Sequence, residues 1–320
     1  MQNITWNGTR LRVQSYNVQV GAHQLELRRC FRQASGVPIL MVPGFLESTQ
    51  LFLPSKGLGG LAPYLANQGF DVYLAELRGK GASWPSASRA MNSGVHEAIC
   101  EDIPAHLGML EKLRPGEPQF WLGQGLGSLL LLGSYARIAQ LMTPVTGMIH
   151  ISPGRHCSLH GWRKALSYQA WSSLLNLQSL VLGYCKSPFS DPVKAETKAT
   201  LGAIQMWHTA AEWLDPVDGF DYRQGLRDKL LPPSLYVANR KNALWGNVED
   251  CRLLINELGE HDGRMIVISK RGGNLRDYTS TAMLKHPKSC IDHFEQIHTW
   301  VEERLVSSNS QSTHRELEQV

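Results

Sequence analysis

Residues 120–132 read Phe120-Trp121-Leu122-Gly123-Gln124-Gly125-Leu126-Gly127-Ser128-Leu129-Leu130-Leu131-Leu132. A short apolar run leads into three glycines at alternate positions, and a leucine-rich run follows. The pattern predicts a buried strand, a tight turn and a helix that packs back on the strand. Residue 125 stands at the tip of that turn, where a side chain would be held clear of both elements. It is glycine, with no side chain to present.

Strand and helix signals continue on both sides. Residues 10–33 alternate apolar and polar, which predicts two antiparallel strands joined near Gly21. Pro38-Ile39-Leu40-Met41-Val42, residues 71–77 and Met148-Ile149-His150-Ile151 read as buried strands, with helices at residues 61–68 and 97–113. The alternation stops between about residues 155 and 224, where Trp162, Leu166, Trp171, Leu174, Leu175 and Leu182 suggest helices. It resumes with strands at residues 234–237 and 265–268, and helices at 248–258 and about 287–305. The polar residues 307–320 are expected to be disordered. Repeated strand–helix units imply a mostly parallel sheet of eight strands with helices on both faces. The domain reading is therefore a core of residues 1–154 and 225–306, with residues 155–224 inserted as a helical cap over the C-terminal strand ends.

Composition bounds the function. The 320 residues are 42% hydrophobic, enough for a sizeable core, and the formal net charge of +4 is too small to imply a nucleic-acid partner. The six cysteines form no C-x-x-C pair, so neither a zinc site nor a disulfide framework is expected. No apolar stretch is long enough for a membrane span, and the opening residues lack the charge and apolar core of a signal peptide. The expectation is a cytoplasmic protein without cofactor or metal. His156 and His160 flank Cys157 at helical spacing, but no third ligand follows. A dinucleotide fingerprint at the glycines fails, because Ser128 takes the third glycine's place and no acidic residue lies about twenty positions on.

Several segments, taken in order, resemble the α/β-hydrolase family, in its acid-lipase and esterase-like branch. Gly123 to Gly127 is similar to that family's G-x-S-x-G nucleophile elbow. Val42-Pro43-Gly44-Phe45 resembles its oxyanion loop, and Glu76-Leu77-Arg78-Gly79-Lys80-Gly81-Ala82-Ser83 its D-x-R-G-H-G-x-S segment. Asp102-Ile103-Pro104-Ala105 resembles a D-x-P-A helix start, and residues 277–284 the segment that carries the catalytic histidine. The resemblance covers roughly residues 35–305 and implies a triad of serine, acid and histidine in that order.

Each triad position departs from the pattern. Gly125 stands for the nucleophile, Asn242 for the acid and Ser280 for the base. Asparagine carries no charge to stabilise an imidazolium, and a serine hydroxyl is no general base near neutral pH. Ser128 and His286 are the nearest substitutes, each displaced from the position required, while Glu249 and Asp250 read as solvated charges at a helix start. The backbone N–H groups of Phe45 and Leu126 would keep an oxyanion-type pair of donors. The resemblance thus implies a pseudo-hydrolase that binds an apolar or acyl-type ligand, or a protein partner. The alternative is an active esterase or lipase working through displaced residues.

The cap carries Trp162, Trp171 and Leu174 as candidates to line the pocket, its apolar face turned inward. Arg137, Arg155, Arg163, Lys164 and Lys186 lie in a stretch with no acidic residue between Glu117 and Asp191, which raises peripheral membrane contact. Serine and glutamine interruptions leave no long basic amphipathic face, so the packed lid is the reading preferred.

Overall fold

In the computed structural model, which describes residues 2–54, 59–138, 143–158, 161–186, 194–241, 244 and 246–317, the apolar runs pair as strands. The strands are β1 Gln2–Trp6, β2 Thr9–Val20, β3 His23–Phe31, β4 Pro38–Val42, β5 Asp71–Ala75, β6 Gln119–Gln124, β7 Val145–Ile151, β8 Tyr184–Cys185, β9 Glu196–Thr197, β10 Ser234–Asn239 and β11 Gly263–Ile268. The helices are α1 Leu61–Asn67, α2 Val95–Glu97, α3 Ile103–Leu113, α4 Leu126–Arg137, α5 Trp162–Leu182, α6 Lys198–Thr209, α7 Tyr222–Arg227, α8 Val248–Leu258, α9 Ser280–Lys285 and α10 Phe294–Leu317.

Among the described residues the main sheet has nine strands, in the order β1-β2-β3-β5-β4-β6-β7-β10-β11. β1, β2 and β3 run antiparallel to their neighbours, and every pair from β5 to β11 is parallel. This is the expected architecture with one strand more than the eight expected. The addition is β1, a polar edge strand whose Trp6 alone is buried. It folds onto β2 across Asn7-Gly8, which turn at φ of 46° and 76°, the left-handed pair that suits a two-residue hairpin.

Parallel strands buried on both faces need apolar side chains in both directions. Ile39, Met41, Phe120, Leu122, Ile149 and Val237 pack in one core with residues of α1 and α10. Leu40, Val42, Trp121, Met148 and Tyr236 pack in the other with residues of α3, α4 and α8. β4 precedes β5 in the chain but lies between β5 and β6, so the winding reverses there. Loops after β4 and β6 gather at that reversal, which is where ligands bind in open sheets of this kind.

The inserted region carries α5, α6 and a two-stranded pair, β8–β9, that the sequence pattern did not announce. α5 does not turn its apolar side inward as expected. Tyr168, Ser172, Leu175 and Ser179 face the protein, while Trp162 and Leu174 are exposed. The serines and glutamines explain the reversal: Gln205 Nε2 on α6 donates to Ser172 Oγ at 2.7 Å and to Asn176 Oδ1 at 3.2 Å, so the α5–α6 seam is partly polar. At the other end of the chain, α10 continues as helix to Leu317, through residues expected to be disordered; no glycine or proline after Ser307 interrupts it.

Candidate functional site: the turn at Gly125 and its pocket

Two of the three glycines in the turn are required by close approach. A Cβ on Gly123 would lie 2.4 Å from the Ser128 backbone nitrogen, and one on Gly127 would lie 2.3 Å from Val42 O. Gly125 differs. Its φ of 53° and ψ of −115° suit glycine, yet nothing lies within 4 Å of where its Cβ would stand. A larger residue would meet backbone strain of order 1–3 kcal/mol but no collision. The turn therefore presents residue 125 to open space, and the residue there ends at its α-carbon.

Leu126 is the first residue of α4, so its N–H has no acceptor within the helix and sits at the positive end of the helix dipole. Phe45 belongs to the loop after β4, and both residues line one small pocket with Gly125, Leu129, Gly154, Ile204, Trp207 and His208. As a cavity it measures about 20 Å³, and it opens to the surface. Its walls are apolar except at His208. Trp171 of α5 meets the Phe45 ring edge-on, with centroids 5.9 Å apart. Trp162 is 72% exposed and Leu174 44%, whereas Trp171 contacts Phe45 of the pocket wall.

The β4 loop is held by buried charge. Leu46 sits at a φ of 54°, and its N–H donates to Glu196 Oε1 at 3.0 Å. Glu196, on β9, pairs with Lys80 inside the protein, and Lys80 Nζ donates to Gly44 O at 2.9 Å. Burial pushes the Glu196 carboxyl above its usual range against the pull of Lys80. The cap strand thereby fixes the loop that carries Phe45. Below it, Arg78 and buried Asp102 pair at 2.5 Å, linking the Arg78 segment to the wide helical turn that starts α3.

The remaining candidates are dispersed. Ser128 is fully buried and its Oγ donates back to Gly123 O at 2.8 Å, away from the pocket. Ser280 opens α9, half-buried; the next residue, Thr281, donates to Glu47 Oε1 at 3.2 Å and so ties this segment to the β4 loop. His286 accepts the Lys288 N–H and contacts Arg276, which makes it a turn cap. His293 is buried, with Nε2 donating to Met283 O at 2.9 Å. Asn242 lies outside the described residues, as does His160. β10 ends at buried Asn239, whose Nδ2 donates to Ser152 Oγ at 2.9 Å. Asp250 corrects the expectation of a solvated charge: it is fully buried and accepts the Ser158 N–H at 2.7 Å.

His208 is the titratable group that sequence reasoning missed. The Tyr168 hydroxyl meets its Nδ1 at 3.1 Å, and burial, reinforced by Arg155 and His156, holds its pKa down to about 4. It is a neutral imidazole at pH 7. No local motif marks it, since it reaches the pocket only through the fold of the cap. Elsewhere His96, Asp215 and Asp218 converge within 4.8 Å as metal ligands would. Arg137 already supplies the positive charge there, 2.9 Å from Asp215 and 2.6 Å from Asp218.

Comparison with known proteins agrees with the fold. Residues 39–193 match the sequence profile of the serine aminopeptidase S33 hydrolases. Triacylglycerol lipase 2 of Arabidopsis thaliana is 28% identical over 129 residues, 36% of this chain and 31% of that one. The match thus spans about a third of that lipase. Among solved structures, a protein assigned as an aryl esterase from Burkholderia cenocepacia superposes with a TM-score of 0.59 at 15% identity, covering 92% of this chain and 100% of the other. Naproxen esterase from Bacillus subtilis superposes with a TM-score of 0.54 at 15% identity, covering 93% of each. At such identities the structures speak for the fold alone. No helix among the described residues is long and apolar enough to cross a membrane.

Proposed function

We propose that this chain, which belongs to the α/β-hydrolase fold family, lipase- and esterase-like in kind, holds an apolar or acyl-type ligand at Gly125 without hydrolysing it. The observation that carries the reading is the elbow itself: backbone geometry and open space suited to a nucleophile, with glycine in place of one. Acyl transfer needs an attacking atom and a base aligned with it. Ser128, the nearest hydroxyl in the chain, is turned into the fold, and His208 is engaged by Tyr168. What remains is an apolar wall that includes Phe45 and Leu126, whose backbone N–H groups would act as donors, an arrangement that favours a carbonyl or carboxylate head on an apolar body.

A fluorophosphonate probe and a panel of short and long esters test this directly. The expected result is no labelled serine and no turnover above the buffer rate, while extraction of the purified protein releases a bound acyl compound seen by mass spectrometry. Stoichiometric labelling of any serine would refute the reading. The single variant Gly125→Ser should stay unlabelled. The triple variant Gly125→Ser, Asn242→Asp, Ser280→His should regain weak esterase activity. A folded triple variant with none would count against the placement of Asn242 and Ser280.

A further inference from the structure

α5 buries one side and leaves an apolar side uncovered. Trp162, Leu166, Leu177, Leu180 and Val181 are each 60% exposed or more. At 100° per residue they fall within about 100° of the helix circumference, roughly opposite the buried side that carries Tyr168, Leu175 and Ser179. The helix is 21 residues, about 31 Å, with Trp162 and Leu166 at one end of this side, Leu177, Leu180 and Val181 at the other, and exposed Ala170 and Ser173 between them. Such a surface is costly in water and marks a binding face.

The surrounding charge says what it binds. No aspartate or glutamate occurs from residue 118 to residue 190, so α5 contains none. Arg163 is exposed beside Trp162, its guanidinium 5.2 Å from the ring centroid. Exposed Arg89 donates to Val181 O near the far end of α5, and exposed Lys198 lines the same groove as Arg89 and Leu180. A second copy of the chain would bring these cations against themselves. One helix stripe, about 31 Å by 10 Å, also falls well short of the ~800 Å² per partner that a stable dimer buries. An apolar strip with a tryptophan and a basic margin fits the boundary of an anionic lipid bilayer, where the apolar side enters the acyl region and the cations meet headgroups.

We propose that the outer side of α5 docks this protein peripherally on anionic lipid surfaces. This goes beyond the ligand-binding reading and does not depend on it. It revives the membrane contact that the sequence pattern disfavoured: Ser172 and Ser179 are buried on the protein-facing side, while Ser167, Gln169 and Ser173 stay exposed among the apolar side chains. Docked this way, α5 lies between bilayer and pocket, with Trp171 on its underside touching Phe45.

Vesicle co-sedimentation of the full chain tests the proposal, using phosphatidylcholine alone and phosphatidylcholine mixed with phosphatidylglycerol. Binding should require the anionic lipid and weaken with added salt. The variant Leu166→Gln, Leu177→Gln, Leu180→Gln changes only exposed side chains, so it should keep its circular dichroism and lose at least about tenfold in affinity. Arg163→Glu should also weaken binding. No binding, equal binding to neutral vesicles, or triple-variant binding like wild type would overturn the proposal. So would a concentration-dependent dimer in sedimentation that the triple variant abolishes, since a second copy would then cover the stripe.

Discussion

Thr49 donates to Glu76 Oε2 twice, from its N–H at 3.0 Å and its Oγ1 at 2.7 Å, while Oε1 is enclosed without a partner among the described residues. Burial, only partly offset by Thr49 and Lys80, pushes this carboxyl up to about 7. A carboxyl raised in the folded state contributes stability below its unfolded value near 4.5, and that contribution disappears as pH rises toward 7. Glu76→Gln keeps an acceptor for Thr49 and removes the titration. The variant should match wild type near pH 4 and exceed it near pH 8 by on the order of 3 kcal/mol. Urea unfolding across that range measures the difference, and a gap independent of pH would refute the assignment. Legibility at this scale follows backbone against environment. Gly125 could be read because a turn writes its glycines into the sequence. The neutrality of His208 and the burial of Asp250 could not, since both depend on residues far away in the chain.

Elements were legible where periodicity was strong. The helix expected at residues 248–258 matches α8, Val248–Leu258, whose Asn247 cap and Asp250 form a capping box. β1 escapes the periodicity although Asn7-Gly8 is a strong hairpin signal; the strand itself is too polar and short to show alternation. α5 is legible as a helix but its orientation is not, because both of its sides carry leucines and only the neighbouring α6 decides which side is covered. The β6–α4 unit makes a sharper demand. Gly127→Ala would push a methyl against Val42 and Pro43 backbone oxygens in a strand that cannot move. It should cost at least about 2 kcal/mol in urea unfolding. A loss under about 0.5 kcal/mol would mean that α4 can shift away from β4.

The whole molecule is a sheet core and a cap joined by buried charge, and Arg155 is the chief joint. It is fully buried, pairs with Glu257 of α8 at 2.6 Å, and donates to the Trp207 and Ala210 carbonyls of the cap at 3.0 and 3.1 Å. Burial opposes ionisation of Glu257, yet His156, Arg155 and Arg223 hold it at about 2. The overall architecture was readable from strand–helix alternation, but this joint was not, since its partners lie about 50 and 100 residues from Arg155. Removing one member of a buried pair costs about 3–5 kcal/mol, because the other charge stays enclosed. Arg155→Met should therefore destabilise strongly. The damage should be greatest in the cap, because the carbonyls of Trp207 and Ala210 lose their donor, even though Ile204 and Trp207 also pack in the core on one side of the sheet. In hydrogen exchange, amides of α5 and α6 should lose protection while those of β4, β6 and β7 retain theirs. Equal loss across cap and sheet would mean that the two fold as one cooperative unit, and the pocket at Gly125 could then open only by global unfolding.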